Sequence, residues 1–190
     1  IGALYFLIPL ISTFDFSLRA KKGELSFLAY TRVFMDVKFW DTLGFSLLIA
    51  IFTIVLSIIL VVPTAYWIRL RLPQLRSIVE FISMLPYVIP AIVWVFGAIR
   101  TFSGAPFFLT NTYFGTYVLL VAGYVVLALP FVYRSIDVGL AAIDVKSLTE
   151  AAQSLGANWF TIMFQVILPN LKVAVLSSSF LTLAIVIGEY

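Results

Sequence analysis

Few residues in this 190-residue chain can do chemistry, and their types narrow the options quickly. There is no cysteine and no histidine. Thiol catalysis, disulfides and the usual zinc and haem ligand sets are therefore excluded, and no obvious nucleophile–base pair can be built. No GxxxxGK[ST] loop occurs that would cradle nucleotide phosphates. What remains is a spacing of capping and turning residues over 150–169, EAAQSLGANWFTIMFQVILP. Charge is absent from Ala151 to Leu171, long enough to resemble a bilayer span, yet Gln153, Ser154, Gly156, Asn158, Thr161, Gln165 and Pro169 interrupt it.

The chemistry these residues suit is recognition. Ser147 and Glu150 fit a capping box, the hydroxyl capping the helix while the carboxylate reaches back to the Ser147 amide. A short helix to Leu155 follows, and Gly156 ends it in a left-handed turn that glycine takes cheaply. Asn158 caps a second helix. Its Asn158, Thr161 and Gln165 share one face, and Trp159, Ile162, Met163 and Val166 another. Pro169 suits the start of a further helix. The pattern predicts a helix–turn–helix lying at a membrane surface, with Ala151 and Ala152 leaving one side flat enough for a partner's backbone.

The elements that position this segment are built for lipid. Hydrophobic residues make up 63%, charged residues 11%, and mean hydropathy is +1.12; a soluble domain carries about 25% charged residues. The net charge of +3 is scattered among loops, which suits membrane orientation better than nucleic-acid binding. Spans are expected at 42–68, 77–99, 115–133 and 171–190, with 1–11 the end of a truncated first span. A signal-peptide core at 1–11 would need a basic leader and a small-x-small cleavage site, and neither is there. The fold expected is all-α and polytopic, cut at both ends, with none of the period-two alternation of a barrel.

Between the spans, 12–42 reads as a long polar loop, in which Trp40-Asp41 suits an interfacial aromatic followed by a helix cap. Residues 69–76 form a tight basic loop, and 100–114 carry no charge after Arg100. Lys and Arg number six on each side of the membrane, so the positive-inside rule ties. Pro63, Pro86, Pro90 and Pro130 are either tolerated kinks or bends around a pathway. Glu80, four residues after Arg76, suits an i,i+4 ion pair. Ser178 and Thr182 fit helix packing, and with Glu189, an acid after a long apolar run, they are the candidate pathway residues.

Glu150-Ala151-Ala152, three residues, Gly156, nine residues, then Val166-Ile167-Leu168-Pro169 resembles the EAA loop of ABC-importer permease subunits, E-A-A-x3-G-x9-I-x-L-P, with Val166 in place of Ile. Six fixed positions match by chance with a probability on the order of 10⁻⁵ per chain. PTAYWIRLR at 63–71, LPYVIPAIV at 85–93 and LPFVYRSIDVGLAAID at 129–144 resemble the same family. The resemblance implies a single type I ABC-importer transmembrane domain over 1–190, with a cytoplasmic coupling loop at 144–169. Glu150, Ala151, Ala152, Leu155, Gly156, Leu168 and Pro169 would be its ATPase-coupling residues.

The same resemblance implies the partners: a separate ATP-binding subunit holding ATP and Mg, a second permease subunit (identical or homologous), and an external substrate-binding protein touching 12–42 and 100–114. No cofactor belongs to this chain, which would not itself be an enzyme. It would sit in a prokaryotic plasma (inner) membrane. LAIVIGEY, LPYVIP and PFVYRSI look most like the spermidine/putrescine branch, and Glu189 suits a cationic cargo; iron(III) and thiamine permeases are the alternatives. The rival from another class is a self-contained secondary transporter or channel, for which four and a half spans with one acid are thin material.

Overall fold

The computed structural model describes residues 2–19 and 25–188, and among them every regular element is a helix. The chain divides into two compact units, Ile1–Phe45 and Ser46–Tyr190. The first holds α1 (Gly2–Ser17), α2 (Leu28–Met35) and the beginning of α3 (Val37–Arg71). The Ser17 and Tyr30 hydroxyls, 2.6 Å apart, tie the end of α1 to α2. The described residues of 12–42 are thus mostly helical, where a polar loop was expected. Asp36, not Asp41, begins α3: its carboxylate accepts the Lys38 amide at 2.9 Å. Trp40 lies inside the helix and donates its indole N–H to the Phe34 carbonyl at 2.9 Å.

In the second unit, α3 and α6 (Tyr113–Ala141) are each long and apolar enough to cross a membrane. At 1.5 Å per residue they extend to roughly 52 and 43 Å, beyond a hydrocarbon core of about 30 Å, so their ends reach the interfaces. The stretch 77–99, expected as one span, is two helices: α4 (Arg76–Val88) and α5 (Ala91–Phe102), bent by 95°. Pro90 causes the break. It has no amide to donate and forces Ile89 into an extended conformation (ψ 120°). Pro63, Pro86 and Pro130 remain inside their helices.

After α6 come α7 (Val145–Ser154), α8 (Trp159–Thr161), a π-helical stretch Ile162–Ile167, α9 (Leu168–Asn170) and α10 (Lys172–Gly188). The core runs along α6, whose Ala128, Val132, Ile136 and Leu140 recur every fourth residue and are fully buried. Val62, Ala65 and Tyr66 of α3 and Ile162, Met163 and Ile167 beyond α7 join the same cluster. Lipid tails are as apolar as leucine, so close backbone approach must hold such helices together. Gly139 makes one approach: a Cβ there would lie 2.6 Å from that of Ala174 on α10.

Candidate functional site

The segment 144–170 folds as a hairpin of short helices, and each corner has a local cause. Asp144, rather than Ser147, caps α7. Its carboxylate accepts the Ser147 amide at 3.1 Å and the Ser147 hydroxyl at 2.7 Å. An ionised carboxylate is the stronger acceptor, so the helix begins three residues earlier than expected. Ser147 becomes a donor, and Glu150 turns instead toward Lys146, 3.9 Å away on the exposed surface. The Ser147 hydroxyl, then its amide, hold the Asp144 carboxyl below the usual carboxylate range.

A lowered native value means the cap's contribution is complete above the ordinary carboxylate pKa of about 3.9. It fades only as pH falls through the still lower native value. Asp144→Ala is accordingly expected to speed amide exchange across 145–150 at neutral pH, while the native protein keeps its protection down to the ordinary carboxylate range. Hydrogen-exchange mass spectrometry of the two proteins checks this; identical exchange would remove Asp144 from the cap.

At the far end of α7 the Gly156 amide donates to Gln153 O at 2.9 Å and the Ala157 amide to Ala152 O at 3.0 Å. With Gly156 at φ +79° this is a Schellman turn, as the sequence predicted. Asn158 accepts the Thr161 amide at 2.9 Å and caps the return arm. There Ile162 and Met163 are buried and Gln165 faces outward, the two faces anticipated. Pro169 lies in the first turn of the short α9, as a helix-start proline should, but not at the bend. The arm continues through it to Asn170, and the 76° corner comes at Leu171. The wider π-helical turn, in which the Leu168 amide reaches back five residues to Met163, accommodates a proline with no amide to give Gln165.

The hairpin has a fixed side and a free side. Val145, Thr149 and Ala152 turn inward, and the Tyr66 hydroxyl of α3 meets that of Thr149 at 3.1 Å, both buried. Ala152, expected to face a partner, is only 8% exposed and packs on the core. Glu150, Ala151, Gly156 and Pro169 are exposed and Leu168 half-buried. Leu155 is 88% exposed at the tip, an apolar side chain held out by the turn.

Beside the hairpin lies a charged cluster whose links cross between helices. Asp137 of α6, with a side chain 6% exposed, pairs with Arg76 at 2.7 Å and Arg69 at 3.3 Å. Arg134 pairs with Glu80 at 2.5 Å. The expected Arg76–Glu80 pair is thus replaced by two pairs across to α6. Arg134 and Glu80 face a cleft of about 1250 Å³ between α4, α6 and α10, which Tyr87, Asn170 and Ser177 also line. Ser178 and Thr182 sit elsewhere: each is 1% exposed and donates to a carbonyl of its own helix, Val175 and Ser178 respectively, at 2.9 Å. Glu189 lies outside the described residues.

The family model for the "binding-protein-dependent transport system inner membrane component" matches residues 63–190, from the middle of α3 through the hairpin and beyond. The chain belongs to this family. Its fold is all-α, that of the type I ABC-importer permease domain, and the family's setting is the inner membrane. A protein named as a ferric transport system permease in Haemophilus influenzae is 37% identical over 106 residues, 55% of this permease and 16% of its own length. The ferric transport system permease of Actinobacillus pleuropneumoniae is 36% identical over 106 residues, again 55% of this permease and 15% of its own length. A molybdate/tungstate transport system permease of Pyrococcus abyssi is 28% identical over 186 residues, 98% of this permease and 69% of its own length. This permease thus spans about a sixth of the length of the two ferric relatives. None of the three supports the expected polyamine branch.

Sequence reading missed Asp137, Arg134 and the Tyr66–Thr149 contact. For Asp137 a signal existed: it is the single acid of α6 and stands three residues after Arg134, at the end of a long apolar run.

Proposed function

We propose that this permease forms one half of an ATP-driven importer's membrane path and receives its driving motion through the 144–170 hairpin. The observation that carries this reading is Leu155, an 88% exposed apolar residue on a turn whose other side is built into the α3–α6 core. A tip of that kind suits a partner's cleft on the cytoplasmic side, and a rigid base suits transmission of force. The partner is an ATP-hydrolysing subunit, with ATP and Mg held there. A second permease subunit completes the path, and an external binding protein delivers cargo to the opposite face. Glu150, Ala151, Leu155 and Gly156 form the docking surface in this reading, and Ala152, Leu168 and Pro169 support it from behind.

The cargo we propose is an inorganic ion. Iron(III) comes first, since two relatives at 36–37% identity are named for ferric transport. An oxyanion of the molybdate type is the second reading, favoured by the relative aligned over 98% of the permease. The α4–α6–α10 cleft favours neither sign of ion, because its Glu80 and Arg134 are paired with each other. Uptake by vesicles holding the full-length permease with its ATPase, permease partner and binding protein tests this, with iron(III), molybdate and spermidine as cargo. ATP-dependent accumulation of iron or molybdate supports the reading; accumulation without ATP or partners favours a self-contained transporter.

A further inference from the structure

The two ion pairs between α4 and α6 form a ladder. Arg76 and Glu80 stand one turn apart on α4, and Asp137 and Arg134 one turn apart on α6. The rungs differ in polarity, the cation being on α4 in one and on α6 in the other, so a slip of register would bring like charges together. They differ also in burial. The Arg134–Glu80 rung faces the cleft, its side chains 60% and 31% exposed, and an exposed pair of this kind holds little. The Arg76–Asp137 rung keeps its carboxylate buried, where the surrounding low dielectric strengthens the attraction.

Asp137 does more than hold α4. Arg69 donates both to its carboxylate and to its carbonyl oxygen, each at 3.3 Å. Between Arg69 and Arg76 the chain leaves α3, passes a 3₁₀ turn at Pro73–Leu75 and enters α4. One carboxylate on α6 therefore grips both ends of the α3–α4 turn. Tyr66, one helical turn before Arg69, holds Thr149 of the hairpin. The hairpin, the end of α3 and the end of α6 are thus bound into one block, to which α4 is joined at Arg76 by the buried rung and at Glu80 by the exposed one.

We propose that Asp137 is the pivot through which the hairpin moves α4, with Arg76 as the positioning residue on the moving helix. The buried rung stays closed, and the exposed Arg134–Glu80 rung opens as α4 swings away from α6 and widens the cleft. This inference rests on the importer reading above. It makes Arg76 necessary for converting hairpin movement into cleft movement, while neither the hairpin surface nor the cargo touches it.

The test is uptake per ATP hydrolysed in vesicles holding the whole assembly, with Arg76→Gln and Arg76→Lys compared with the native permease. Asp137 keeps Arg69 in both variants. Arg76→Gln is expected to lower cargo taken up per ATP about fivefold or more, the low end of coupling between sites. Arg76→Lys keeps the charge without the planar fork and is expected to restore most of the loss. An unchanged ratio in Arg76→Gln overturns the pivot while native uptake upholds the importer reading. A fall in assembled complex with an unchanged ratio per complex also overturns it, since only structure would then be affected. Should Arg76→Gln fail to assemble, the Arg76→Lys ratio decides: a partial fall supports the pivot, and a native ratio contradicts it. If the native assembly hydrolyses ATP and carries nothing, the importer reading falls, and the pivot with it.

Discussion

Gly156→Val is expected to abolish ATP-driven uptake while leaving the permease inserted in the membrane. The reason lies in the backbone. At φ +79° a left-handed conformation costs an L-residue about 1–2 kcal/mol, and a β-branched side chain more. Nothing lies within 4 Å of where a Cβ would sit, so no crowding adds to that cost. The chain can relieve it only by leaving the left-handed region, which breaks the Gly156–Gln153 and Ala157–Ala152 hydrogen bonds. Leu155 would then lose its fixed direction. Asn tolerates this conformation better than other residues, so Gly156→Asn should keep much of the uptake. Uptake normalised to inserted permease measures both variants. Normal uptake in Gly156→Val would show that the turn has no part in coupling.

Asp137→Ala is expected to lower the stability of the purified permease by about 3 kcal/mol, the lower end of the effect of removing one partner from a buried ion pair. Arg69 and Arg76 both lose their carboxylate, and the α3–α4 turn loses the group that closes it. The arginines are partly exposed and can turn toward water, which is why the lower figure applies. Thermal unfolding in detergent reads the change. A native-like transition would mean that apolar packing of α3 and α4 on α6 holds the turn unaided.

What the sequence made legible was local. Gly156, Asn158 and the two faces of the return arm depend on residues within a turn or two of one another, and each is where the pattern put it. What it hid was competition between partners. Ser147 and Asp144 can both cap a helix, and the carboxylate won as the stronger acceptor. Arg76 has Glu80 at helical spacing on its own helix, yet a buried carboxylate on α6, 61 residues away in sequence, outcompetes it. Ala152 reads as part of a flat docking side, but the inward turn of α7 is set by Val145 and Thr149 meeting α3 and α6. The α4–α5 break was only half visible, since four prolines looked alike and Pro90 alone of them stands at a helix start. Cargo was the least legible. Of the candidate pathway residues, Ser178 and Thr182 point into helix packing and Glu189 lies outside the described residues, while the charges that line the cleft are Glu80 and Arg134.

The coupling role of the hairpin is best tested at Leu155. Leu155→Cys would be the only thiol among these 190 residues, and it stands exposed at the tip of the hairpin, whereas Ala152 is buried against the core. The full-length permease carrying that change should crosslink in membranes to the ATP-hydrolysing subunit with which it co-purifies, and the yield should change when ATP is added. A thiol that crosslinks to no such subunit, and is labelled only by an impermeant reagent from outside, would put the hairpin on the external face and contradict its coupling role.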